Sequence, residues 1–533
     1  LGCLSTGELL TPTFERVRGT HAFAHEEVAR VTRSLLDPRR RATLHHQAAR
    51  LLAARRGVPA TEIARHYDAA GFGPEAHEYS LRAADAALEL YENSAAAALL
   101  ASAERTAPSQ GSVAEVRVRM ASLAEVTNRF EEAEALCDLA LAWYETQGQQ
   151  LSALKVKGMR MRVRMARGQS AQDTLAGLLA LEDEAREVNA DTERAAILLL
   201  ISQTHWRLGD PIQAKQVAEE CVAIAERAGD PELLLDACNR LAIAVQLEAA
   251  PKARELFNRA LAISTELGDT LRRVRCLNNL GVLGLLENDW GAARSALIAA
   301  ASEARTAGFI QLSGRALLNL GVLAARVGEY DAAAEYLGEA LQLCAAVQSS
   351  ELQLYATYNI AHLERDRERM REAGETYELV MALAKRIGQA EVEQGARAGF
   401  GLCELSRGEV ASARAASAQV EPFLESRTDW FQGRELGEAL ALKLAMLDGQ
   451  YEAAAKRLGQ ALALADTSDI FGAASLTAEI GEEMRPHAPE LVGDALQRYA
   501  NRPEVQANPK IKARFTVLLI DSKSTIDRSG RVR

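Results

Sequence analysis

Aromatic residues are scarce in this chain of 533 residues, where Phe, Trp and Tyr together make up 5%. That content excludes a core filled by rings. Glycine (36) and proline (13) are too few for a turn every ten residues or so, which argues against both a β-rich fold and a disordered chain. No run of 18 apolar residues occurs, so no segment reads as a membrane-spanning helix. Long basic runs are also missing, and 73 acidic side chains outweigh 62 basic ones, giving a formal net charge of −11. The body of the chain is therefore a poor surface for nucleic acid. Seven cysteines (Cys3, Cys137, Cys221, Cys238, Cys276, Cys344 and Cys403) form no CxxC. Most sit in apolar helical stretches and read as buried free thiols of a reducing cytoplasm. The segment from Gly7 to Thr13 is short of apolar residues, so the start is no signal peptide. A chain that opens on Leu1 reads as part of a longer protein.

Catalytic signatures are absent as well. There is no Gly-Lys dipeptide, hence no phosphate loop, and no HExxH, GxSxG or paired HRD and DFG. His45, His46, His66 and His77 have no ligand-pair spacing, so no metal site is expected. His205 and His362 lie on helical stretches and read as satisfied or surface side chains. Glu131-Glu132, Glu219-Glu220 and Glu482-Glu483 read as solvated helix faces. No catalytic residue is expected, and the chain reads as a non-enzyme.

What is present is a repeat. A large residue returns at Trp290, Tyr330, Met370, Val410 and Tyr451, and three positions later a small one follows: Ala293, Ala333, Ala373, Ala413 and Ala454. Ala214 and Ala253 continue the series upstream at nearly the same step, and Phe130 with Ala133 fits further back. Each unit of about 40 residues holds two amphipathic stretches joined by a short turn, as in 310–347. The alanine permits close helix approach and the large residue fills the turn. One such pair cannot bury its own apolar face, so successive pairs must stack. The segments NNLGVLGLLENDWGAA and LNLGVLAARVGEYDAA resemble the tetratricopeptide repeat, and the longer period resembles the sensor superhelices of large bacterial regulators of the maltose-activator type. The expectation is an all-α, tetratricopeptide-like α-solenoid over 108–502. It holds about nine helix pairs between Ser112 and Arg485, with 151–190 and 231–268 degenerate.

Within that array Asn239, Asn279, Asn319 and Asn359 recur at a step of 40. Asparagine is a poor helix former, so its return needs a reason. One reading is a ladder of amides facing a groove, ready to hold an extended peptide or a small inducer. The other is local bonding between helices. One turn earlier lie Leu235, Arg275, Arg315 and Tyr355, which would add charge and an aromatic surface.

The first hundred residues differ. Thr20 to Phe23 reads as a strand, and helices are expected over 25–36, 39–55, 61–70, 74–90 and 94–106, punctuated by Asp37-Pro38, Gly57 and Gly71. The order Phe23-x-His25, Arg41-x-x-Leu44-His45, Glu62-Ile63-Ala64-x-His66-Tyr67, Ala70-Gly71, Ala76 and Tyr79 resembles the junction of bacterial signal-transduction ATPases with numerous domains (STAND), including large LuxR-type activators. The resemblance implies the end of a winged helix at 1–36 and a helical arm at 37–107. It also implies that His25 touches the β-phosphate of ADP in an intact parent. ATP or ADP and Mg belong only to that parent's ATPase. It further implies an inducer or protein partner in the superhelix, a nucleotide switch, and homo-oligomerisation on activation. A stand-alone interaction scaffold and a repeat module regulating a fused kinase or cyclase are the alternatives. After Asn501-Arg502-Pro503 the repeat pattern stops, and 510–533 carries seven basic residues against two acidic. This segment, 503–533, reads as a basic tail or linker in which 515–520 forms a helix or a strand.

Overall fold

The computed structural model describes residues 10–12, 21–23, 31, 35–55, 57–89, 92–127, 129–347, 349–427, 433–465 and 470–524. Among them are two short strands and 26 α-helices. The chain divides into two units, Leu1–Val163 and Arg164–Arg533.

In the first unit β1 (Leu10–Pro12) pairs antiparallel with β2 (His21–Phe23), Leu10 opposite Phe23. Helices follow as α1 (Pro38–Ala53), α2 (Ala60–Ala70), α3 (Gly73–Glu89), α4 (Asn93–Arg105), α5 (Gln110–Val126), α6 (Phe130–Thr146) and α7 (Gln150–Ala166), whose last turn belongs to the second unit. Helix α1 starts where the sequence dictates: Asp37 accepts from the Arg40 amide, and Pro38 occupies the first turn. Gly71, at φ 79°, ends α2. His45 and His66 meet Nδ1 to Nδ1 at 3.0 Å, His46 stacks on Phe72, and His77 bonds the Ala103 carbonyl at 2.8 Å.

The second unit continues as a stack of helix pairs: α8 (Ala171–Glu187), α9 (Asp191–Arg207) with α10 (Pro211–Ala228), α11 (Pro231–Val245) with α12 (Ala250–Glu266), and α13 (Thr270–Leu286) with α14 (Trp290–Thr306). Next come α15 (Ile310–Arg326) with α16 (Tyr330–Val347), α17 (Ser350–Asp366) with α18 (Met370–Ile387), and α19 (Ala390–Ser406) with α20 (Val410–Ser426). The last helices are α21 (Arg434–Leu447) with α22 (Tyr451–Ala465), α23 (Ile470–Met484), α24 (Pro489–Tyr499), α25 (Pro503–Ala507) and α26 (Pro509–Ser524). This is a tetratricopeptide-like α-solenoid.

The repeat residues do what their sizes allow. Ala293, Ala333, Ala373 and Ala413 are all fully buried where the two helices of a pair cross. Opposite them glycine is needed for room: a Cβ on Gly321 would lie 2.6 Å from Leu337 Cγ, and one on Gly281 2.5 Å from Leu297 Cγ. Trp290, Tyr330 and Tyr451 are half-buried at the turns. Cys137, Cys221, Cys238, Cys276, Cys344 and Cys403 are buried free thiols, and burial pushes Cys221 and Cys276 up to about 12.

Between neighbouring pairs, the first helices lie against one another from α13 through α23, whereas the second helices mostly do not. The first helices therefore form the inner, narrower side of the curve. The segment 503–533, read from sequence as a basic tail or linker, instead holds α25 and α26 within its described part. Val505, Ile511, Phe515 and Leu518 are buried in one cluster with Ile480, Met484, Leu496 and Tyr499.

Candidate functional site: the inner face of the second unit

The asparagine series runs along this inner face, but its register is not the one read from sequence. Counted from the helix starts, Asn239 is equivalent to Asn278, each eight residues into its helix, and Arg240 is the equivalent of Asn279. Burial agrees, since Leu235, Ala237, Leu241 and Ala244 match Val274, Cys276, Leu280 and Leu283. The unit 231–269 is one residue shorter than its neighbours, and the residue is lost after the asparagine, near the turn. Counting back from the alanine of the turn therefore slips by one.

The bonding follows the corrected register. Asn279 Nδ2 donates to Asn239 Oδ1 at 2.9 Å, and Asn319 Nδ2 donates to Asn278 Oδ1 at 3.0 Å. Each donor lies nine residues after the start of its helix and each acceptor eight residues after the start of the helix before. In the next pair the acceptor position is held by Leu318, so Asn359 Nδ2 turns back to its own helix and donates to the Tyr355 carbonyl at 2.8 Å. The amides are half-exposed apart from Asn278, which is buried. They thus tie first helix to first helix and keep their remaining hydrogen-bonding capacity toward the groove. We expect Asn279→Ala to lower stability by about 1 kcal/mol, the usual net worth of one such bond, read as a shift in urea midpoint at unchanged m. A midpoint identical to the parent's would show the amide pair to be structurally idle.

One turn before the ladder, the equivalent residues are Asp236, Arg275, Arg315 and Tyr355. Leu235, expected there, is buried in the core at 1% exposure. Asp236 is bound by Arg272 at 3.0 Å, and Arg315 reaches Glu351 at 3.6 Å. Arg275 is exposed. The Tyr355 phenol is pushed up by burial and by Glu351 and Glu391, against the pull of Arg315 and of Arg207. Arg207 lies at the end of α9, four pairs upstream.

Arg240 was missed by sequence reading. It is half-buried in the ladder position, and burial draws its guanidinium down to about 10, with Asp236 the one group that opposes this. Among the described residues no ion pair within 4.0 Å neutralises it, and Asp236 is held by Arg272. The signal that could have found it is the Asn-Arg pair at 239–240 set against Asn-Asn at 278–279.

Downstream the groove closes on itself. His362 Nδ1 faces Tyr377 Oη at 3.2 Å, and its ring packs edge-on against Tyr358 at 4.3 Å. Burial, helped by Arg365, depresses the imidazole to about 3, so His362 is neutral at neutral pH. Arg365 crosses to Glu479 on α23 at 3.1 Å. Burial pushes the Glu479 carboxyl up, but Arg365, Lys443 and Arg514 together outweigh it and hold the group below its ordinary range. His205, at the upstream end, lies 3.7 Å from Asp210. His25 lies outside the described residues. Among the described residues no helix is long and apolar enough to cross a membrane, and no group of three or more His, Cys, Asp or Glu side chains gathers as for a metal ion.

Two stretches, 195–227 and 314–346, match the tetratricopeptide repeat family. No curated protein matches the chain. Among solved structures the chain is similar to a Rap protein complexed with Competence and Sporulation Factor, at 15% identity over 72% of this chain and 99% of that one, with a TM-score of 0.46. It is also similar to the quorum sensor NprR from B. thuringiensis in its apo form, at 16% identity over 72% and 98%, with a TM-score of 0.42. A third is the STAND protein with a tetratricopeptide repeat sensor from Pyrococcus horikoshii, at 12% identity over 79% of this chain and 58% of that one, with a TM-score of 0.40.

Proposed function

We propose that the second unit is the sensor of a bacterial STAND-type regulator, and that its inner face between α9 and α17 takes an extended peptide or small inducer bearing an anionic group. The observation that carries this reading is Arg240, a cation in the amide row with which no carboxylate among the described residues forms an ion pair, Asp236 acting on it only from further off. An incoming carboxylate would supply the missing charge, and a guanidinium is well suited to receive it through two parallel bonds. Arg207, Arg315 and Tyr355 would also line the groove, and the free valences of Asn279 and Asn319 would meet a peptide backbone.

A protein that senses by binding must favour one conformation over another, since a ligand shifts an equilibrium only by its differential affinity. The resemblance at 5–107 supplies the partner for such a shift: a nucleotide-binding ATPase holding ATP or ADP and Mg, with His25 against the phosphate. Activation would then bring homo-oligomerisation, in a cytoplasmic setting. The runner-up, a stand-alone scaffold, shares the groove and lacks the switch.

The test uses immobilised peptide arrays with matched acidic and neutral members, probed with the full chain and with Arg240→Gln. We expect acidic members to bind and the variant to lose roughly tenfold or more, in line with a charge-assisted pair of about 1.5–3 kcal/mol. Equal binding of acidic and neutral members, unchanged in Arg240→Gln, would remove the anionic assignment.

A further inference from the structure

The C-terminal helices do more than end the stack. Helices α23 to α26 share a continuous apolar core with α19 to α22. From that block a second set of contacts reaches back to α15 and α17, more than a hundred residues earlier, and its character is different. Asn508 Nδ2 donates to the Arg326 carbonyl at 3.0 Å, with Ala325 O at 3.5 Å, the open C-terminal carbonyls of α15. Lys510 Nζ donates to the Asp366 carbonyl at the end of α17 at 2.6 Å and lies 3.6 Å from Glu368. Arg365 pairs with Glu479, and the Arg326 guanidinium lies over the Phe471 ring, 5.1 Å from its centre. Pro509 sits against Gly328, whose φ of 78° and lack of a Cβ both suit the contact.

Each of these contacts is polar, charged or made by one turn. Among the described residues, the apolar clusters around α15 and α16 contain none of 470–524. Helices α25 and α26 do not pack broadly along α15 or α17. A joint of this kind exchanges its hydrogen bonds for water with little net change, whereas the apolar core of the block does not open without unfolding. The physics thus separates a durable block from a weak seam.

We propose that residues 470–524 form a clasp, which opens as a unit from the α15 and α17 ends while the repeats and the block stay folded. The clasp bridges pairs that the chain itself joins only through two or three intervening pairs, so closing it fixes the curvature of the inner face at Arg315 and Tyr355. Groove and clasp are then reciprocally linked: a ligand that needs a wider groove opens the clasp, and a released clasp alters ligand affinity. The linkage rests on the groove reading, but the clasp itself does not.

Asn508 allows a test because its two side-chain atoms face opposite ways: Nδ2 lies on the seam, where the side chain also bonds Tyr330, and Oδ1 faces its own helix. Its Oδ1 also caps α26, accepting from the Lys510 and Ile511 amides at 3.0 Å each. Asn508→Asp keeps that cap and replaces the donor facing Arg326 O with a repelling oxygen. Lys510→Met removes the second tie. Hydrogen exchange on the full chain reads the result by segment. In N508D/K510M we expect amides at the end of α15 and at the end of α17 to exchange at least tenfold faster. Protection inside α23, α24 and α26 should be unchanged, and so should the melting of 310–387. Loss of protection throughout 470–524, or through the whole unit at once, would show an integral cap and overturn the proposal. So would exchange identical to the parent's at both helix ends. If the clasp opens as expected and acidic-peptide binding is absent in both proteins, the groove reading fails and the clasp stands.

Discussion

Replacing Gly321 with alanine is expected to destabilise the second unit by about 1–3 kcal/mol, although alanine is the better helix former by nearly 1 kcal/mol. The reason is room. The added methyl would lie 2.6 Å from Leu337 Cγ and 2.7 Å from its Cδ2, and Leu337 is fully buried. Something must move, and the neighbours are Ala333 and Leu363, already in contact. Leu337→Ala alone should cost about 2–5 kcal/mol through the cavity it leaves. The double variant is the informative one, because the new methyl then enters the space the leucine vacated. We expect the two penalties to be strongly non-additive, with a coupling of more than 1 kcal/mol in urea melts. Additive penalties would mean that the close crossing at Gly321 is not what limits side-chain size there.

Arg365→Met is expected to be the most damaging single change at the closed end of the groove, by about 3–5 kcal/mol. It leaves Glu479 with its carboxylate largely withdrawn from water and its main partner gone, while Lys443 lies further away. Replacing both, as Arg365→Met with Glu479→Leu, should recover much of the loss, since an apolar pair of similar size avoids the desolvation of two charges. The same region sets the acid response. The folded pKa of Glu479 is below its ordinary value, so its contribution is present above about 4.5 and disappears as pH falls through the folded value. His362 has a folded pKa of about 3 against 6.5, so the unfolded state takes up a proton first and stability declines as pH drops from 6.5 toward 3. For one such proton the slope reaches about 1.4 kcal/mol per pH unit. Thermal melts between pH 7 and pH 4 should therefore show the parent losing stability and His362→Phe losing less. A parent whose melting is flat over that interval would contradict the burial of this imidazole.

Much of this architecture was legible in the sequence because the repeat is a local, periodic signal. The large residue at Tyr330 and the small one at Ala333 mark a turn and a helix crossing in every unit, and the structure puts them there. Helix starts were equally local, as at Asp37-Pro38. The asparagine row was legible as a row and misread in register. One residue is missing from the 231–269 unit, and only the helix start, fixed by Asp230 capping the Leu233 amide, reveals on which side of Asn239 it was lost. That shift exchanged Asn239 for Arg240 in the groove and placed buried Leu235 where Asp236 belongs.

By itself, then, the sequence determined an all-α repeat, its period, its turns and the near absence of ring-filled cores, because each follows from neighbours within about 40 residues. Tertiary structure alone decided three things. It chose which amides pair, since donor and acceptor sit on different helices. It gathered Tyr358, His362, Arg365 and Glu479 into a closed end, since their partners lie up to 114 residues apart. It also turned the expected tail into a helix docked on α15, because Asn508 finds the Arg326 carbonyl 182 residues upstream. No periodicity encodes such contacts. They depend on the curvature that many stacked pairs accumulate, and curvature is a property of the whole stack.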